Sequence, residues 1–131
     1  MPEESSAPPN RPLEFTRHEN FESWYANNVQ FEPNEFDLRM VFGENESLGG
    51  RRVVQQHTAM SVSWVEAKIL AYFLQLHIAA AEKVNGKINV PRSVWPTEPI
   101  PPSEELKREN PLAESIYHMA KQMYEQFIAN L

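Results

Sequence analysis

Any reactive chemistry in this chain has to come from histidines, carboxylates and hydroxyls, because it contains no cysteine. Disulfides, thiolate metal sites, iron–sulfur ligation and cysteine nucleophiles are thereby excluded. The four histidines, His18, His57, His77 and His118, are scattered along the sequence. A metal site needs at least two of them at ligand spacing, such as an i, i+4 pair, with carboxylate support. A surface or interface position is therefore the expected role of each, and no metal or cofactor is expected. Gly49-Gly50 reads as a turn and not as a phosphate-binding loop, and neither a nucleophile elbow nor a Ser-x-x-Lys pattern occurs. Glu66 fits a helix cap and Glu82 a solvated helix face. The chain reads as a non-enzyme.

Charge narrows the partners. Lys and Arg number 12 against 18 Asp and Glu, a formal net charge of −6. Proteins that bind nucleic acid or anionic membranes use an excess of cations to displace counterions from phosphate, so neither partner is expected. Arg51-Arg52 is the one basic doublet that stands out, and a charged strand start accounts for it. The N-terminal MPEESSAPPNRP has no basic region leading into an apolar run, so it does not read as a signal peptide. The most apolar stretch, Ile69 to Ala81, is interrupted by Gln75 and His77 and is too short to span a bilayer. A cytoplasmic protein is expected.

The elements that would position these residues follow from periodicity. Eleven prolines against four glycines lie mostly before residue 13 and between Pro91 and Pro111, which places a folded region between them. Residues 1–23 read as a disordered, Pro-rich tail. From Ala26 to Glu32, Val29 and Phe31 alternate with Asn28, Gln30 and Glu32, as in a half-buried strand. Glu32-Pro33-Asn34-Glu35 is a turn. Phe36, Leu38, Met40 and Phe42 then share one face of a second strand, opposite Asp37 and Arg39, completing an antiparallel hairpin. Gly43 to Gly50 reads as a loop. Arg51 to about Val62 is a third extended segment whose alternation fails at Val53-Val54 and Gln55-Gln56. Either a β-bulge or packing on both faces accounts for that.

A long helix follows. Ser63-Trp64-Val65-Glu66 matches a capping box, and Asn85-Gly86 is a helix stop. Val65, Ile69, Tyr72, Phe73, Leu76 and Ala80 form one apolar stripe, and Leu70, Leu74, Ile78 and Ala81 form a second. Only Lys68, Gln75 and Glu82 mark a polar face. A helix on one sheet needs an apolar arc of about 100° or somewhat more. This arc is wider, so a second surface must cover the excess. Lys87 to Val90 is a candidate fourth strand or a docked tail. Residues 92–110 form a Pro-rich extended linker holding Trp95, an expected anchor, and Pro99-Ile100-Pro101-Pro102. Residues 111–131 form an amphipathic helix started by Asn110-Pro111, with Leu112, Ile116, Met119, Met123, Phe127 and Leu131 on one side.

The expected fold is α+β: a three- to four-stranded antiparallel meander packed on one long helix within residues 24–91, plus the C-terminal amphipathic helix. Candidate interface residues are Leu70, Tyr72, Phe73, Leu74 and Leu76 on the long helix, with Met119, Met123 and Phe127 on the last one. If Phe73 is buried, truncating it to Ala costs about 3–5 kcal/mol.

Tyr25-Ala26-Asn27-Asn28, the strand ending Phe42-Gly43, Ser63 with Ala67 and Lys68, and Gly86 with Ile88 together carry a resemblance. The chain resembles a small bacterial family known only as a domain of unknown function. Its members show an aromatic-Ala/Ser-Asn opening, a strand ending in Phe-Gly, a Ser-Pro-x-x-Ala-Lys helix start and a Gly-x-Ile close. Trp64 stands where that pattern has proline. The resemblance implies a structural unit and brings no catalytic residues.

These readings lead to a non-catalytic, self-associating interaction or scaffold module, whose partner is a second copy of itself, another protein or an extended peptide. The alternative is a chaperone-like or adaptor domain holding extended peptides, by analogy with the layout of SecB-type export chaperones. A small-ligand or enzymatic domain ranks third.

Overall fold

The computed structural model describes residues 11–131 and, of Ser47 and Leu48, the backbone alone. The fold is α+β, with three strands followed by helices: β1 (Asn28–Pro33), β2 (Asp37–Leu48), β3 (Arg51–Ser63), α1 (Trp64–Asn85), α2 (Glu104–Glu109) and α3 (Ala113–Ala129). The strands make one antiparallel sheet in the order β1-β2-β3. The chain divides into two compact units, Met1–Lys68 and Ile69–Leu131.

In the first unit, Asn34 builds the turn between β1 and β2. Its side-chain oxygen accepts from the backbone N–H groups of Phe36 (2.8 Å) and Asp37 (2.9 Å), and its amide donates to the Asp37 carboxylate at 2.7 Å. Phe36, expected on the inner face of the second strand, falls in this turn and is 80% exposed. The turn claims its backbone, so it never enters the ladder.

The expected loop over Gly43 to Gly50 is not observed. β2 and β3 continue as a two-stranded ribbon as far as Leu48 and Arg51, and the connection is the pair Gly49-Gly50. Both glycines have positive φ, 57° and 78°, the requirement of a tight two-residue hairpin turn. The ribbon runs past the end of β1, whose ladder stops at Asn28 opposite Gly43. With no third strand there, neither face needs apolar residues. Glu44, Asn45 and Glu46 therefore carry no alternation for a sequence reading to detect.

The irregular third segment resolves as a bulge. Phe42 pairs with Thr58, but the next residue, Gly43, pairs with Gln56, leaving His57 as the extra residue of β3. The bulge reverses which residues of β3 share a face. Above it, Met60 and Val62 stand beside Met40 and Leu38; below it, Val53 and Gln55 stand beside Glu46 and Glu44. Gly43 is buried at this point. A Cβ there would lie 2.6 Å from the Gln55 carbonyl oxygen and 2.9 Å from Val54 Cγ1.

The ladder register puts Val29, Phe31, Leu38, Met40, Phe42, Met60 and Val62 on one face of the sheet. The opposite face carries cross-strand polar pairs: Arg39 with Glu32 at 3.4 Å and Gln56 with Gln30 at 2.9 Å. β3 passes into α1 without a connecting residue. The Ser63 hydroxyl accepts from the Glu66 N–H at 3.1 Å, the N-cap bond expected from the sequence. Trp64 Nε1 donates to the Asn34 carbonyl at 3.0 Å, which ties the helix start to the first turn.

In the second unit, Gly86 ends α1 at φ 87°, and its N–H bonds the Glu82 carbonyl at 2.9 Å. Lys87 to Val90 enters no sheet, so the fourth strand is absent among the described residues. Glu82 instead reaches past the helix end, its carboxylate accepting from the Ile88 N–H at 2.9 Å. Trp95 Nε1 donates to the Val90 carbonyl at 3.0 Å, and the Arg92 guanidinium lies 5.4 Å from its ring centroid. Ser103 caps α2 through its hydroxyl. Asn110 accepts from the Leu112 N–H at 2.9 Å in a turn ahead of α3; the expected cap at Asn110 and start at Pro111 give way to a cap at Leu112 and a start at Ala113. Residues 1–10 of the expected disordered tail lie outside the described residues; 11–23 form no helix or strand.

Substituting Gly43→Ala should lower stability by about 1–3 kcal/mol, read as a drop in the urea midpoint followed by far-UV circular dichroism. An unchanged midpoint would show that β2 and β3 do not approach so closely.

Candidate interaction surface

α1 is the element whose surface is least accounted for. It is 22 residues long and none of them is buried. A helix apolar around most of its circumference belongs in an interior, yet Tyr72 is 60% exposed, Leu74 55%, Phe73 47% and Leu76 46%. Leu70 is half-buried. The Tyr72 and Phe73 rings meet edge-on, with centroids 5.2 Å apart.

On α3, Met119, Met123 and Phe127 are likewise exposed. Ala113, at the start of α3, is its only buried residue. Pro99, Ile100, Pro102 and Leu106 line a cavity of about 320 Å³ with Ala113, Ile116 and Tyr117, so the Pro-rich segment covers part of the first half of this helix. Phe127 and Leu131 line a larger groove of about 470 Å³ with Ile78, Ala79, Ile88 and Val90. Of the eight candidate interface residues, only Phe127 lines that groove; Met119 and Met123 line neither cavity.

The sheet adds a feature that periodicity did not reveal. The chain entering β1 crosses over β2, where His57, set out by the bulge, reaches it. His57 Nε2 lies 2.9 Å from the Tyr25 carbonyl, and Nδ1 lies 2.8 Å from Thr58 Oγ1. A carbonyl only accepts, so Nε2 carries the proton of that bond. The ring stacks on Trp24 at 4.7 Å, and Trp24 Nε1 donates to Glu22 at 2.9 Å. Glu22, Trp24, Phe42, His57 and Met60 help to line a groove of about 230 Å³. The broken alternation at Gln55-Gln56-His57, with Trp24-Tyr25 upstream, was its one trace in the sequence.

Among the described residues, no three His, Cys, Asp or Glu side chains converge as a metal site, and no helix is long and apolar enough to cross a membrane. His118 Nε2 stands 3.8 Å from Glu114 one helical turn earlier, an exposed surface pair.

What fold and surface define together is a small α+β unit whose conspicuous feature is uncovered apolar area. The chain belongs to a family described as proteins of unknown function, DUF3467, whose model matches residues 2–90. That match takes in the three strands and α1, with all the residues on which the resemblance rests, and leaves α2 and α3 beyond it. Gly43, the glycine of the Phe-Gly motif, is the close approach at the bulge. Trp64, which departs from the pattern, holds the first turn through its indole. No curated protein and no solved structure matches the chain.

Substituting His57→Ala removes one hydrogen bond and one aromatic stack. It should cost about 1–2 kcal/mol in urea denaturation and shift the Trp24 indole N–H resonance. Retention of both would argue against the cluster.

Proposed function

We propose that the chain is a non-catalytic, self-associating interaction or scaffold module of the cytoplasm, whose first partner is a second copy of itself. The observation that carries this reading is α1: 22 residues, apolar around most of its circumference, with none buried.

The exposure of large apolar side chains on α1, Tyr72, Phe73, Leu74 and Leu76 among them, supports the same reading, because clustered apolar surface marks an interaction site. In the proposed assembly, the sheet's apolar face and the stripes of α1 are covered by each other or by their counterparts in the second copy. The packed meander-on-helix arrangement is then a property of the assembly. A net charge of −6 disfavours nucleic acid and anionic membrane as partners.

A second reading is favoured by the sheet itself, whose apolar face includes Phe31 and Met60, 58% and 55% exposed. An adaptor that holds extended client peptides would present such a face. Suppression of a model protein's aggregation by the purified chain separates this reading from a plain scaffold.

Light scattering at micromolar concentration should return at least twice the 15.2 kDa chain mass. Phe73→Ala and Leu74→Lys should each weaken association by about 2 kcal/mol or more, roughly thirtyfold in the dissociation constant, with helix content retained. A stably folded wild-type monomer would sink the reading.

A further inference from the structure

The two edges of the sheet are unlike. β1 is six residues long and its last residue is Pro33, which has no N–H to donate; short length and proline are the usual means of blunting an edge. β3 is 13 residues long, contains no proline, and from Val53 to Ser63 carries no Lys, Arg, Asp or Glu. Its outer edge has no neighbouring strand. The bulge at His57 interrupts this edge, and the runs on either side of it, residues 51–56 and 58–63, remain templates for another extended chain.

We propose that the outer edge of β3 is the seam between copies: β3 of one chain pairs antiparallel with β3 of a second, joining two three-stranded sheets into one of six strands. This rests on the self-association reading and names its geometry. Charge selects a second copy as the occupant. Arg51 and Arg52 sit at one end of β3, and Glu66 lies in the first turn of α1 just past the other end. Among the described residues, none of Arg51, Arg52 and Glu66 forms an ion pair within the chain. Antiparallel pairing brings Arg51 and Arg52 of each copy toward the Glu66 end of the other, once on each side of the two-fold axis. The uncharged middle opposes itself without like-charge repulsion in any register. A two-fold axis perpendicular to the sheet also keeps each face on its own side, so the apolar faces of the two copies become continuous.

The absence of cysteine makes the test direct. In the full-length chain, Gln55→Cys, Gln56→Cys, Ala59→Cys and Ser61→Cys are made singly, with Gln30→Cys on β1 and Gln75→Cys on α1 as comparisons. Opposed residues of an antiparallel pair have Cα atoms about 4.5–5.5 Å apart, within the span of a disulfide, and only positions beside the two-fold axis meet their own copy. Mild oxidation should double the chain mass on a non-reducing gel at one or two neighbouring β3 positions, and leave Gln30→Cys and Gln75→Cys at the single-chain mass. If light scattering shows an oligomer but no β3 position cross-links, or only Gln75→Cys does, the seam is wrong and self-association stands. A monomer by light scattering overturns both.

Discussion

Apolar helix surface has to leave water, and in this chain that requirement reaches every other element. Each fully buried large aliphatic or aromatic side chain contributes about 1.5–3 kcal/mol, and α1 carries a long series of them with none buried. The interior of the chain by itself is correspondingly thin: among the described residues, the buried hydrophobic side chains are Met40, Val41 and Ala113. Two of these lie on the central strand and one at the root of α3. Local devices hold the elements in shape, namely Asn34 in the first turn, Gly49-Gly50 in the second, Ser63 at the helix start and Gly86 at its end. They specify the conformation without removing much apolar area.

How much of this was legible in the sequence depended on whether a residue faced a boundary between water and protein. Leu38, Met40 and Phe42 alternate with Asp37 and Arg39 because β2 there has a neighbour on each side and two unlike faces. The same strand from Glu44 onward has only β3 beside it, and its polar residues read as a loop. His57 defeated the period for another reason: a bulge inserts one residue, and a reading in steps of two loses its place. The caps of α1 were legible because they depend on single side chains at fixed offsets. The width of the apolar arc of α1 was legible for the same reason, while the stacking of Trp24 on His57 joins residues far apart in sequence and left only a weak trace.

The last third of the chain has a different character. It lies beyond the residues matched to DUF3467, and its order comes from backbone stiffness as much as from packing. Pro91, Pro96, Pro99, Pro101 and Pro102 restrict the chain before α2, and Trp95 clasps the backbone at Val90. A segment restricted in this way loses less entropy on ordering, so it can lie along the first half of α3 with few contacts. The second half of α3, with Phe127 and Leu131 beside Ile78 and Val90, borders the family-matched part through side chains rather than through backbone pairing.

Pro33 has a consequence at a larger scale. A sheet that adds strands at both edges grows without limit, which is how fibres begin. In the proposed pair, with β3 sealed against its twin, the borders left over would be two copies of β1, each short and each ending in a residue that cannot donate a hydrogen bond. Growth in that geometry would stop after one round. A single proline at the end of β1 would then separate a closed pair from an open filament.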